Sequence, residues 1–403
     1  MSAVARKEQE DARREPPPLV RKAAEAAALL ETLRTELTSL QGREAAGRAA
    51  LTKAVLAVAA ERALVRRALR RSAAARGERW RGGRWRALVW RLQGLLVRLG
   101  LPGRTLLVAA SGAWRSSGRS LYDLRHLAAY LRRGADPAVA PASLFDQAWY
   151  LAGNPDVAAS GAAPLAHYLA SGQHEGRAPH PLFDAAFYSE RYGAELAASR
   201  LGPLAHYVRI GAAAWRDPHP LFDTAYYAAQ GAEPAPGEDL AAHYVREGWK
   251  TGLSPHPLFD PAWYVAQAPA AGGAAPLLHY LAEGAAAGLS PHPLFDPAWY
   301  QTAAPEAGEG LALLRHYLAV GAAQGLSPSP FFDPQHYAAQ RGEALAPGAD
   351  PLVDYLLDGA WSVAEPAPGF STAAYLAAHP ELVVEGLTPL AHWAAACVRS
   401  PRM

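Results

Sequence analysis

The twelve residues LSPHPLFDPAWY occupy positions 253–264 and recur letter for letter at 289–300. This duplication constrains the fold more than any other feature of the 403-residue chain. A single globular core gives every position its own environment and does not reuse a phrase; a tandem array does. The phrase belongs to a longer series. Its Phe recurs at Phe145, Phe183, Phe222, Phe259, Phe295, Phe332 and Phe370, with gaps of 38, 39, 37, 36, 37 and 38. A second marker follows each: His167-Tyr168, His206-Tyr207, His243-Tyr244, His279-Tyr280, His316-Tyr317, Asp354-Tyr355 and His392-Trp393. Seven units of about 37 residues therefore fill 143–403. The expected fold class is all-α, with tandem helix-turn-helix repeats stacked as an α-solenoid, because neither short helix of a unit can bury its apolar face alone.

One unit shows why each part should be helical. Asp260 precedes Pro261, an N-cap residue followed by a residue suited to the first helical position. Phe259 before the cap and Tyr264 at the fourth helical position have the spacing of a hydrophobic staple. Phe295, Asp296, Trp299 and Tyr300 repeat the arrangement, and the pairs Trp263-Tyr264 and Trp299-Tyr300 are expected at packed interfaces. The stretch AAGGAA ends the first helix. Pro276 opens a second, with Leu277, Tyr280 and Leu281 on one apolar face. Gly284 reads as its stop, and Pro291 and Pro293 force an extended exit.

The His that precedes Tyr in the second marker (His279 before Tyr280, His316 before Tyr317) invites a metal or catalytic reading. Equivalent positions in a solenoid stand about 10 Å apart, too far to share one ion held at about 2 Å. A buried hydrogen bond between units is the expected role. The loop histidines His180, His219, His256 and His292, each in the frame PHP, are expected at inter-unit contacts or exposed, with pH sensing as the alternative.

Charge divides the chain. Residues 1–120 hold 25 Lys/Arg against 10 Asp/Glu, a net +15, and residues 121–403 hold 14 against 27, a net −13. The halves must meet different partners. Residues 1–18 read as a disordered tail with no secretory signal. Residues 19–75 read as a coiled-coil-like helix: Ala26, Leu30, Leu33, Leu37 and Leu40 keep a 4-3-4-3 spacing, which suggests homo-oligomerisation, with a self-folded hairpin as the alternative. Residues 76–120 form a basic, Trp/Arg-rich amphipathic segment. Arg84, Arg91 and Arg98 share one helix face, flanked by Trp85, Trp90 and Leu92. The segment is too charged to span a bilayer and suits an anionic membrane interface. Docking on the first repeat is the alternative, and nucleic acid is disfavoured because no recognisable module accompanies the arginines. Residues 121–142 read as a partial capping repeat. A single Cys397 excludes a disulfide framework, in keeping with a cytoplasmic protein on the inner-membrane surface.

Catalytic signatures are absent from the sequence: no GxGxxG, P-loop, HExxH, CxxC or GxSxG, and no D-x-D to hold a metal-bound nucleotide sugar. No cofactor is expected. Asp146, Asp184, Asp223, Asp260, Asp296 and Asp333 are accounted for as helix caps.

Residues 145–184, FDQAWYLAGNPDVAASGAAPLAHYLASGQHEGRAPHPLFD, resemble a repeat of bacterial glycosyltransferases and associated proteins of cell-surface polysaccharide biosynthesis. There, copies of the unit flank glycosyltransferase or methyltransferase domains. The resemblance covers about 260 residues and no position matches a catalytic one. It implies a non-catalytic scaffold whose partners are proteins such as a glycosyltransferase or exporter. The alternatives are a glycosyltransferase whose catalytic domain lies on another chain, and a glycan-binding repeat protein using Trp149, Trp263 and Trp299.

Overall fold

The computed structural model describes residues 100–111, 113–114, 120–133, 141–235 and 237–399. Segments 1–18 and 19–75, and the interface residues Arg84, Trp85, Trp90, Arg91, Leu92 and Arg98, lie outside the described residues. The described residues fall into two compact bodies, 100–330 and 331–399. Both are helical, and the only β-pairs among the described residues are isolated bridges such as His180–Phe183.

Each repeat is a helix pair. The first helix runs Gln147–Gly153, Ala185–Ser199, Thr224–Ala229, Pro261–Gln267, Pro297–Ala303, Pro334–Arg341 and Thr372–Ala378 in successive repeats. It starts where it does because the preceding side chain accepts orphan backbone N–H groups. Asp260 and Asp296 each accept from the Trp N–H three residues on, at 3.0 Å, Asp146, Asp184, Asp223 and Asp333 cap in the same way, and Ser371 serves in the seventh repeat. Such a cap contributes about 1 kcal/mol. The staple closes beside it, with Phe259 and Tyr264 ring centroids 5.4 Å apart and Phe295 and Tyr300 5.5 Å apart.

The second helix departs from the sequence reading. Pro276–His279 is α-helical, but Tyr280–Gly284 then widens into a π-helical turn, and the same occurs at Tyr168–Gly172, Tyr207–Gly211, Tyr317–Gly321 and Tyr355–Gly359. Gly284 is therefore not a helix stop. A Cβ built on it would come within 1.9 Å of the Tyr264 hydroxyl, and at Gly321 and Gly359 the same clash arises with Tyr300 and Tyr337. The glycine exists so that the first-helix tyrosine can rest on bare backbone.

The core is aromatic. Tyr280 lies edge-on to Tyr264 at 5.5 Å and 88°, and Tyr317 to Tyr300 at 5.5 Å and 90°, the offset geometry that ring quadrupoles favour. All four tyrosines are fully buried.

Two backbone links join consecutive repeats. The N–H of each capping Asp donates to the first proline carbonyl of the next Pro-x-Pro loop, as in Asp260 to Pro291 and Asp296 to Pro328, both 2.9 Å. The second-helix tyrosine also reaches forward: the Tyr244 hydroxyl accepts the Leu277 N–H at 3.3 Å, and in the other body Tyr355 accepts that of Leu390 at 3.3 Å. Tyr130, on helix Ser120–Arg133, accepts the Leu165 N–H at 3.1 Å. Segment 121–142 thus supplies the tyrosine of a preceding unit. Helix Gly100–Ser111, the described end of the 76–120 segment, packs on Ser120–Arg133 and on the second helix of repeat one, burying Leu107 and Val108 completely.

Candidate functional site

The titratable side chains of the repeats are committed first to the fold. In repeat four the Tyr264 hydroxyl lies 2.6 Å from Nδ1 of His279, and in repeat five Tyr300 lies 2.8 Å from Nδ1 of His316. His167, His206, His243 and His392 meet the first-helix tyrosine of their own repeat in the same way. The expected bond between units is therefore corrected to one within each unit, bridging its two helices. In repeat six Asp354 replaces the imidazole and accepts from Tyr337 at 2.5 Å. A carboxylate only accepts, so the tyrosine is the donor there; in the histidine repeats the polarity is the same for the ring tautomer protonated at Nε2. Burial pushes the Tyr264 hydroxyl up to about 12, which keeps its proton in place.

The loop histidines are likewise structural. His180, His219, His256 and His292 are buried, and each Nδ1 accepts the backbone N–H two residues on, at 2.9–3.1 Å. Burial depresses three of them, His180 and His292 to about 4 and His219 to about 3, with the Arg315 guanidinium adding to the effect at His219. These three are neutral at physiological pH, and of the two expected placements, inter-unit contact or exposure, exposure does not hold for any of the four.

The motif N-P-D-V…E-G-R of repeat one also has a structural function. Arg177 bonds Asn154 Oδ1 at 2.8 Å, both Asp156 oxygens at 2.8 and 2.9 Å, and Glu175 at 2.6 Å. It clips the turn between the helices to the end of the repeat.

What remains is a cleft of about 540 Å³ in the body 100–330, at which repeats one and two meet repeats four and five. Its axis is an ion pair between residues far apart in sequence: Arg315 Nη2 lies 2.7 Å from Asp184 Oδ2. Asp184 holds its place because its other oxygen caps helix Ala185–Ser199, accepting from Ala186 and Phe187 at 3.0 Å. Trp149, half-buried on helix Gln147–Gly153, lines the cleft with His174 and Ser189. Asp239 makes another long link, accepting from Tyr207 at 3.1 Å and from Ser143. Repeats in this body thus touch beyond their nearest neighbours.

The three tryptophans singled out for glycan contact part company. Trp263 is buried and donates Nε1–H to Ser290 at 3.2 Å; Trp299 is 43% exposed; Trp149 lies at the cleft. Sequence reasoning missed Arg315. Its signal was present: the residue before the marker His or Asp is Ala166, Ala205, Ala242, Leu278, Val353 or Ala391 in every other repeat.

The carboxylate of the cleft, Asp184, is spent on a cap and an ion pair, and no cluster of three or more His, Cys, Asp or Glu side chains able to hold a metal occurs among the described residues. No helix among them is long and apolar enough to cross a membrane. The chain matches no protein-family model, no curated protein and no solved structure.

Proposed function

We propose that the chain is a non-catalytic scaffold of cell-surface polysaccharide biosynthesis. Its repeats, an α-solenoid in this reading, hold a protein partner, a glycosyltransferase or exporter, at the cytoplasmic face of the membrane. The observation that carries the reading is that each repeat spends its recurrent titratable groups on its own fold: aspartates on helix caps, and marker histidines on the tyrosine between the helices. Glycosyl transfer needs donors or metal-holding carboxylates free to meet a diphosphate leaving group. A surface at net −13 opposes a donor carrying two phosphates. The basic segment with Arg84, Arg91 and Arg98 supplies attraction to anionic lipid. The test is cross-linking in native membranes with the full chain, alongside turnover assays with nucleotide-sugar donors and divalent metal. Capture of an identified glycosyltransferase or exporter, with no donor turnover by the purified chain, is expected. Metal-dependent turnover by the chain alone would overturn the reading.

A further inference from the structure

We infer that the cleft between repeats one, two, four and five is a binding site for a neutral saccharide. In an array of near-copies, structural positions repeat and departures from the pattern need a separate reason. Two of them gather in this one cleft although they come from opposite ends of the body. Arg315 is charged where all other repeats carry Ala, Leu or Val. His174 stands at a position that is Ala213, Ala286 and Ala323 in repeats two, four and five and a large side chain, Lys250 and Trp361, in repeats three and six. Both line the cleft with Trp149.

The chemistry assembled there suits a sugar ring. A half-buried indole offers an apolar face for the C–H side of a pyranose while its surroundings remain polar. Hydroxyls both donate and accept, and the cleft offers both functions. Arg315 is a donor whose side chain stays 46% exposed beside Asp184, while the His174 ring and the Ser189 hydroxyl supply acceptors. The volume falls within the ~300–1,000 Å³ of small-molecule sites. Charge selects the class of sugar. The guanidinium is already offset by Asp184 at 2.7 Å, and residues 121–403 carry −13, so an anionic glycan is repelled where a neutral one is not. This site stands apart from the scaffold reading, since the chain can recruit a protein partner without it and bind saccharide without a partner.

The test is isothermal titration of the full chain with a panel of neutral oligosaccharides (gluco-, galacto- and manno-trisaccharides), with an oligogalacturonate as the anionic control. At least one neutral trisaccharide is expected to bind and the oligogalacturonate to fail. Trp149→Ala and Arg315→Ala should each weaken binding about tenfold or more, on the order of 1.4 kcal/mol, with circular dichroism unchanged. Because Arg315→Ala also breaks the ion pair with Asp184, Arg315→Lys, which keeps a positive charge there but loses the guanidinium fork, and Trp149→Ala, which leaves the pair intact, serve as independent variants. Failure of every neutral sugar at millimolar concentration would overturn the proposal. Preference for the oligogalacturonate, or binding unaffected by both substitutions, would do the same.

Discussion

Repeats five and six occupy the same frame with different chemistry. In repeat five the Tyr300 hydroxyl meets the imidazole of His316 at 2.8 Å, and the entry loop holds His292 buried. In repeat six Tyr337 meets the carboxylate of Asp354 at 2.5 Å, and the loop position is taken by buried Ser329. A neutral imidazole can accept a hydrogen bond from a hydroxyl without becoming charged. A carboxylate in the same place is an ion in a poorly solvated site and must be paired. Repeat six supplies the counter-charge locally: Arg341 reaches Asp354 at 2.9 Å and Asp358 at 2.8 Å, its own side chain only 9% exposed. At the position of Arg341, repeats four and five carry Ala268 and Ala304. The lesson is that the frame requires an acceptor for the tyrosine, and that a charged acceptor brings a second substitution with it.

Acid should separate the two chemistries most strongly. His180 and His292 sit near 4 in the folded chain against about 6.5 unfolded, because burial disfavours the charged ring. A folded value below the unfolded one means that the unfolded chain binds more protons. Stability is therefore full above about pH 6.5 and is lost as pH falls from there toward 4, by about 3 kcal/mol for each such histidine. Urea unfolding of the full chain at pH 7 and pH 4.5 should show this loss. His292→Ser, which installs the repeat-six residue, should flatten the pH dependence even though it lowers stability at pH 7. Parallel curves for wild type and variant would refute the assignment.

The second test breaks the compensation in repeat six. Arg341→Met leaves Asp354 and Asp358 without their partner and should cost about 3 kcal/mol. Adding Asp354→His, which restores the acceptor of the other repeats, should recover most of that loss. A double variant no more stable than Arg341→Met would show that the two positions are not coupled.

The smallest effect asks what the two repeats share. Gly321→Ala places a Cβ about where the Tyr300 hydroxyl sits and should cost about 2 kcal/mol through overpacking. Gly272→Ala, whose Cβ would make only ordinary contact with Val265 at 3.6 Å, should change the thermal midpoint little. Equal shifts for the two would mean that the close approach of hydroxyl and glycine is unimportant.

Legibility tracked sequence distance. The Asp260 cap and the Phe259–Tyr264 staple act within five residues, and their spacing alone dictates them. The partner of His279 was readable as a need but not as an address, because Tyr264 is 15 residues away and the angle between the two helices decides whether they meet. The π-helical turn was hidden as well. Gly284 looks like a stop on local propensity, and only the hydroxyl of another helix resting on it explains why helical backbone runs through it. The pairing of Arg341 with Asp354 was visible in principle as two departures within one repeat. Arg315 and Asp184 lie 131 positions apart with nothing in their neighbourhoods to connect them.

The duplicated phrase divides the two kinds of information. By itself it determined the repeat, the helix start and the loop lock. In both copies the cap bond to tryptophan is 3.0 Å, and the loop histidine accepts its leucine N–H at 3.0 and 3.1 Å. Yet Trp263 is 7% exposed in one copy and Trp299 43% in the other. The twelve residues are identical, so the difference comes from what the rest of the chain lays over each indole. Caps and staples are bonds a segment makes with itself, and they travel with its sequence. Burial is a relation to distant neighbours, and only the tertiary structure decides it.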